Sequence, residues 1–162
     1  DDLCPPPALT CLAVDADGEI VCAGSDEPFE IYAWSARTGK LLDALAGHQG
    51  PLSCLAFDPA DLSTLASSSW DKSVRLWKVY RNEQVDVPLT HPSEVLALAF
   101  RPDGARLCTA ALDGCLHVWD HTEAKLLAVI DAKLDLAKRA FFDALAYSVD
   151  GTRVLAGGRS RF

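Results

Sequence analysis

Gly47-His48-Gln49-Gly50 opens a segment that ends Leu65-Ala66-Ser67-Ser68-Ser69-Trp70-Asp71-Lys72-Ser73-Val74-Arg75-Leu76-Trp77. Its last five residues, Ser73 to Trp77, alternate polar and apolar side chains, which is the pattern of a half-buried strand. Two other segments end in the same way: Glu30-Ile31-Tyr32-Ala33-Trp34 and Cys115-Leu116-His117-Val118-Trp119. The three tryptophans are spaced by 43 and 42 residues. Phe57 and Phe100 are 43 apart, and Tyr147 follows 47 later. A period in this range marks a four-stranded unit repeated around an axis.

Each unit reads as four strands. The first is apolar: Cys11 to Val14, Leu52 to Phe57, Val95 to Phe100 and Phe142 to Tyr147. A turn with Asp17-Gly18, Pro59, Pro102-Asp103-Gly104 or Asp150-Gly151 follows, and such residues bound strands. The second strand is Ile20 to Ala23, Ser63 to Ser67, Arg106 to Ala110 or Arg153 to Ala156. The third carries the tryptophan. The fourth is Leu41 to Leu45, Gln84 to Leu89 or Leu126 to Ile130. The predicted fold is therefore all-β, a β-propeller represented by about three and a half four-stranded blades. The units span roughly 8–46, 47–89, 90–130 and an incomplete 140–162, with 131–139 as an inter-blade loop or short helical turn. A ring closes with about four blades or more, so the expected physical unit is larger than this chain.

The chain has 162 residues, 49% of them hydrophobic and 23% charged, enough to fill one core. No apolar run is long enough to cross a membrane as a helix. The formal net charge is −8, a poor balance for non-specific binding to polyanions. The charge is uneven, at −10 over residues 1–130 and +2 over 131–162. Any nucleic-acid contact is expected to be local. Six cysteines, Cys4, Cys11, Cys22, Cys54, Cys108 and Cys115, form no CxxC pair. They read as free thiols used as small core residues, which places the chain in a reducing compartment.

Serine, histidine and aspartate together in the second unit imitate a hydrolytic triad: His48, Ser67 and Asp71, followed by Trp77. The third unit repeats the layout with His91, Thr109, Asp113 and Trp119. The His-to-Asp intervals are 23 and 22, and the Asp-to-Trp interval is 6 in both. Catalysis needs one such set beside a cleft with oxyanion donors, so tandem copies argue for structure. No glycine-rich nucleophile elbow surrounds Ser67. The expected network has aspartate accepting from the turn backbone and from histidine, with the hydroxyl linking histidine to the indole N–H. Ala23 in the first unit and Gly157 in the fourth stand at the hydroxyl position, and Lys138 replaces the histidine of the fourth.

These residues resemble the WD-repeat propeller family. Gly47-His48 through Ser67 and Asp71 to Trp77 match its pattern, and the third unit ends Trp119-Asp120. Its Thr90-His91 departs from Gly-His, and the second and first units end Trp77-Lys78 and Trp34-Ser35. Further segments are similar to one branch of that family, the periodic tryptophan proteins. They are Val21 to Ser25, Phe29 to Ser35, Thr38 to Asp43, Ser93 to Gly104, Tyr147 to Gly151 and Val154 to Gly158. The resemblance implies a non-catalytic nucleolar scaffold built of tandem propellers. Its implied partners are other WD-repeat proteins of the U3 small nucleolar RNP in the small-subunit processome, with contact to pre-rRNA or small nucleolar RNA inside that assembly. It implies no cofactor, no small-molecule substrate and no membrane. The branch usually has a longer, more basic stretch at 131–140.

Two surface features carry the remaining expectations. Trp70, with Leu112 at the equivalent place, sits at a blade edge, where an exposed tryptophan anchors a partner or packs on its own blade. Lys133, Lys138, Arg139, Arg159 and Arg161 form the local basic cluster, which meets phosphate or stays solvated. The paired acids Asp15/Asp17 and Asp26/Glu27 lack calcium-loop or glycosidase spacing. His117 and His121 bracket Trp119 without a further metal ligand nearby. The rival to a ribosome-assembly scaffold is a generic propeller adaptor for a ubiquitin ligase, vesicle coat or signalling complex, which the repeated blade supports equally.

Overall fold

The computed structural model describes residues 8–81, 83–131 and 140–160. Over them the chain folds into β1 (Leu9–Val14), β2 (Ile20–Ser25), β3 (Ile31–Ser35), β4 (Leu41–Leu45), β5 (Leu52–Phe57), β6 (Thr64–Ser69) and β7 (Ser73–Lys78). It continues with β8 (Glu83–Thr90), β9 (Val95–Phe100), β10 (Leu107–Ala111), β11 (Cys115–Asp120), β12 (Lys125–Asp131), β13 (Ala140–Tyr147) and β14 (Val154–Ser160). These strands form three four-stranded antiparallel meanders, β1–β4, β5–β8 and β9–β12, and the pair β13–β14.

Turn chemistry sets the breaks between strands. Asp15 folds its side chain back so that Oδ1 accepts from the N–H groups of Glu19 and Ile20, at 2.8 and 2.9 Å. Gly18 supplies the left-handed φ of +68° that this turn needs. Gly104, at φ +70°, does the same between β9 and β10. Each pairing of a first with a second strand in β1–β2, β5–β6, β9–β10 and β13–β14 carries one register irregularity, and these extra residues sharpen the local twist.

Alternation along each strand then gives every sheet two apolar faces, and neighbouring sheets bury them against one another. Strand β1 packs on β5, β5 on β9 and β9 on β13, so the first strand of each sheet lines the inside of the stack. Between the first two sheets Ile20, Cys22, Ile31 and Leu45 meet Leu52, Leu55, Leu65 and Trp77. Between the second and third, Ala66, Val74, Leu76 and Leu89 meet Val95, Leu98, Leu107 and Trp119. Between the third and fourth, Ala97, Cys108, Ala110 and Leu116 meet Phe142, with Leu145 and Tyr147 alongside. In both complete junctions the tryptophan of the later sheet faces the earlier one.

Hydroxyl bonds repeat across the junctions too. Thr10 donates to the Leu52 carbonyl at 2.6 Å, and Ser53, 43 residues later, donates to the Val95 carbonyl at 2.7 Å. The five described cysteines, Cys11, Cys22, Cys54, Cys108 and Cys115, are free thiols. Burial pushes Cys22 up to about 12 and Cys108 to about 11, so both are inert core residues.

One sequence assignment is corrected. Ala156, not Gly157, stands at the hydroxyl position of the fourth sheet, because it pairs with Leu145 as Ser67 pairs with Leu55 and Thr109 with Leu98. The turn of the second sheet holds one more residue between its paired ends, Phe57 and Leu65, than the turns between Phe100 and Leu107 or Tyr147 and Val154. Counting from the second unit therefore overshoots by one. The expected loop at 131–139 is corrected at its first residue, since Asp131 ends β12 opposite Cys115; its remainder, 132–139, lies outside the described residues, as do Lys133, Lys138, Arg139 and Arg161.

Gly104 and Gly18 separate two costs. A Cβ at Gly18 meets open space, whereas one at Gly104 would lie 2.3 Å from the Ala60 Cβ and 2.7 Å from Asp58 Oδ1. Gly18→Ala is expected to cost only left-handed backbone strain, about 1–2 kcal/mol. Gly104→Ala adds overpacking between two sheets, for a total of roughly 2–5 kcal/mol. Urea unfolding of the two variants checks the order; equal losses would contradict the packing at this junction.

Candidate functional site

The second sheet holds four side chains in a directed chain of hydrogen bonds. Asp71 lies in the turn after β6, His48 precedes β5, Ser67 is on β6 and Trp77 on β7. His48 Nδ1 is 2.7 Å from Asp71 Oδ2, and its Nε2 is 2.7 Å from Ser67 Oγ. Trp77 Nε1–H donates to Ser67 Oγ at 2.8 Å. An ionised carboxylate only accepts and an indole only donates. With a neutral imidazole the chain runs one way: Trp77 donates to Ser67, Ser67 to His48 Nε2, and His48 Nδ1–H to Asp71.

Asp71 also anchors its own turn. Its Oδ2 accepts from the Gln49 N–H at 3.0 Å, and its Oδ1 accepts from the Ser73 N–H at 2.9 Å and the Ser73 hydroxyl at 2.6 Å. Burial pushes the carboxyl up, but the bonds from His48, Ser73 and the Gln49 backbone outweigh it and hold Asp71 well below the usual carboxylate range. Ser67 is fully enclosed and the His48 side chain has no exposed surface. A hydroxyl in this position meets no substrate, so the four groups act as a staple between strands.

The third sheet keeps half of this arrangement. Trp119 Nε1–H donates to Thr109 Oγ1 at 3.2 Å, and Thr109 donates to His91 Nε2 at 2.8 Å. His91 Nδ1 then donates to the Leu89 carbonyl at 3.0 Å rather than to Asp113, which the sequence reading had placed there. Pro92 explains the difference. It occupies the place of Gln49 and has no N–H to hold the aspartate over the histidine. Asp113 instead accepts from the Cys115 N–H at 2.9 Å and lies 3.9 Å from His117 Nε2. Burial first, and then the neighbouring His117, pull His91 down to about 4.

Of the surface candidates, Trp70 is 56% exposed and Leu112 39%. Both lie in the turn between the second and third strands of their sheets, at the end that carries His48 and Asp71. Of the basic cluster, Arg159 lies on β14, and the other four residues fall outside the described residues. Sequence reasoning missed Thr10 and Ser53, whose 43-residue spacing was the available signal. It also missed Asp58, which binds the buried His121 across two sheets; their 63-residue separation leaves no local trace.

Comparison with known proteins fits this geometry. Residues 39–78 and 83–120 match the family model for the WD domain, G-beta repeat. The chain is 45% identical over 95% of its length to a periodic tryptophan protein 2 homolog of Schizosaccharomyces pombe, covering 20% of that protein. It is 44% identical over 97% of its length to the Mus musculus homolog, of which it covers 19%. To periodic tryptophan protein 2 of Saccharomyces cerevisiae it is 42% identical over 94% of its length, covering 18%. The chain is thus similar to WD-repeat proteins over just under half of its length by the family model and to these relatives over nearly all of it, and it spans about a fifth of their length.

Two outcomes follow from the staple. Asp71→Ala leaves His48 Nδ1 and two turn N–H groups unpaired and is expected to lower stability by roughly 1–3 kcal/mol or more, read as a lower Tm; an unchanged Tm would contradict the network. His91 is held neutral, with a folded value of about 4 against an ordinary 6.5. Its contribution is complete above pH 6.5 and is lost as pH falls from there toward 4, where the unfolded chain takes the proton first. The slope of unfolding free energy against pH in that window should flatten in His91→Gln; an unaltered slope would show that His91 is not buried neutral.

Proposed function

We propose that this chain is an arc of a WD-repeat propeller that serves as a non-catalytic scaffold in the small-subunit processome. Its partners are then other WD-repeat proteins of the U3 small nucleolar RNP, it meets pre-rRNA or small nucleolar RNA within that particle, and it resides in the nucleolus. The observation that carries this reading is similarity to periodic tryptophan protein 2 along nearly the whole chain in several eukaryotes. Repeat geometry alone supports any WD adaptor; the branch-specific similarity is what favours the processome reading.

The free faces support a ring. Trp77 and Trp119 each face the preceding sheet, and alternation puts Trp34 on the face of the first sheet turned away from the second. Leu12, Val14 and Leu42 share that face and are 63, 49 and 55% exposed. At the other end of the stack, Ile130 on β12 and Leu155 on β14 are exposed. Open sheets with apolar faces persist in water when a neighbouring sheet covers them. Further blades of the same propeller are the occupants that this geometry fits.

Affinity purification of the full-length protein from growing cells tests the reading. It is expected to bring down processome proteins and pre-ribosomal RNA together. Recovery of a ubiquitin ligase, coat or signalling complex without them would replace this proposal with the adaptor reading.

A further inference from the structure

The outer strands of the three complete sheets are β4, β8 and β12. An open edge turns N–H and C=O groups outward, and proteins guard it by shortness, proline or charge. Strand β4 is five residues long with Asp43 at its centre, and β8 carries Pro88, which has no N–H to offer. Strand β12 has none of these guards. It runs for seven residues, Lys-Leu-Leu-Ala-Val-Ile-Asp, with charge only at its two ends, and all seven are exposed. Among the described residues no strand pairs with its outer side.

The sequence of β12 is that of an inner strand. A run of apolar residues without alternation is what a strand carries when both of its faces are covered. Directly opposed residues of an antiparallel pair share a face. Ala128 and Ile130, opposite Val118 and Leu116, therefore face the fourth sheet. Leu126 and Val129, opposite Trp119 and His117, face the second. The second sheet has all four strands, yet Leu126 and Val129 stay 43 and 51% exposed. A missing neighbouring sheet does not account for them.

We infer that the outer edge of β12 receives an extended segment of a partner protein, which adds antiparallel to it as the fifth strand of the third sheet. Main-chain bonds to the edge supply the attraction, and apolar side chains beside Leu126, Leu127 and Val129 take them out of water. Lys125 and Asp131 mark the two ends. Opposite charges across a strand pair stabilise it and like charges do not. The segment therefore sets a base against Asp131, an acid against Lys125 and five residues of high strand propensity between them. Strand β12 itself has this pattern, so a second copy of the chain is the rival occupant. Seven residues at about 3.4 Å each make a contact about 24 Å long and about 10 Å deep. Two rigid bodies meeting along it bury far less than the roughly 1,200 Å² of a stable interface, whereas a flexible segment needs only the strand. The inference stands apart from the processome reading, because its test reads peptide binding and not co-purification.

The test is fluorescence anisotropy of a labelled acetyl-Lys-Val-Ile-Thr-Val-Thr-Glu-amide peptide titrated with the full-length protein. One control exchanges the terminal Lys and Glu of the peptide. Two others carry N-methyl groups on one or the other set of alternate residues, since only one set can turn its N–H groups toward β12. Saturable binding is expected, several-fold weaker for the exchanged peptide. One N-methylated peptide should lose tenfold or more and the other should bind like the parent. Val129→Lys puts a guarding charge on the edge at an exposed side chain, so its melting curve should match the parent's while binding falls tenfold. Sedimentation of the protein alone should show no dimer that Val129→Lys disperses. Absence of binding, equal loss or equal retention by the two N-methylated peptides, indifference to the exchange of charges, full binding by folded Val129→Lys, or a dimer that this variant disperses would each overturn the assignment.

Discussion

One hydroxyl on the second strand of a sheet decides whether the tryptophan of the third strand can be buried. Trp77 and Trp119 are 3 and 5% exposed, and a buried indole N–H needs an acceptor. The histidine beside it needs a donor at Nε2 once its Nδ1–H is committed. Ser67 and Thr109 meet both needs because a hydroxyl donates and accepts at once. An alanine at either place would leave two buried polar atoms unpaired, whereas exchange between serine and threonine keeps the chemistry.

The consequence runs from the side chain to the assembly. With its N–H satisfied, each tryptophan presents apolar ring surface to the preceding sheet, and the junctions form there. A sheet so built has two apolar faces and is complete only between neighbours. Stability then lives in the interior of the stack. The staples and junctions lie inside, while the turns at both ends, with Trp70 and Leu112 at one, remain free to vary in chemistry. Such an object fits scaffolding: many addressable turns on a frame whose reactive-looking residues are enclosed.

Much of this was legible in the sequence, for definite reasons. The 42–43-residue recurrence of tryptophan and phenylalanine fixed the strand positions, and Asp17-Gly18 and Asp103-Gly104 fixed turns. The staple of the second sheet was legible because its four residues lie within one repeat. The third sheet was misread at Asp113, although Pro92 was visible; the missing N–H outweighed the matching spacing. Ala156 was missed because a one-residue difference in turn length cannot be seen without the pairing register. The Asp58–His121 bond was beyond reach, since it arises where two repeats meet in space.

The central claim is that Ser67 holds the Trp77 indole inside the stack. Hydrogen exchange of the tryptophan indole N–H groups in the full-length protein measures this directly. Trp77 and Trp119 are predicted to exchange only through global unfolding, while the exposed Trp70 exchanges near the rate of a free indole, and Ser67→Ala should accelerate Trp77 alone. Exchange of Trp77 as fast as Trp70 in the unaltered protein would contradict the account.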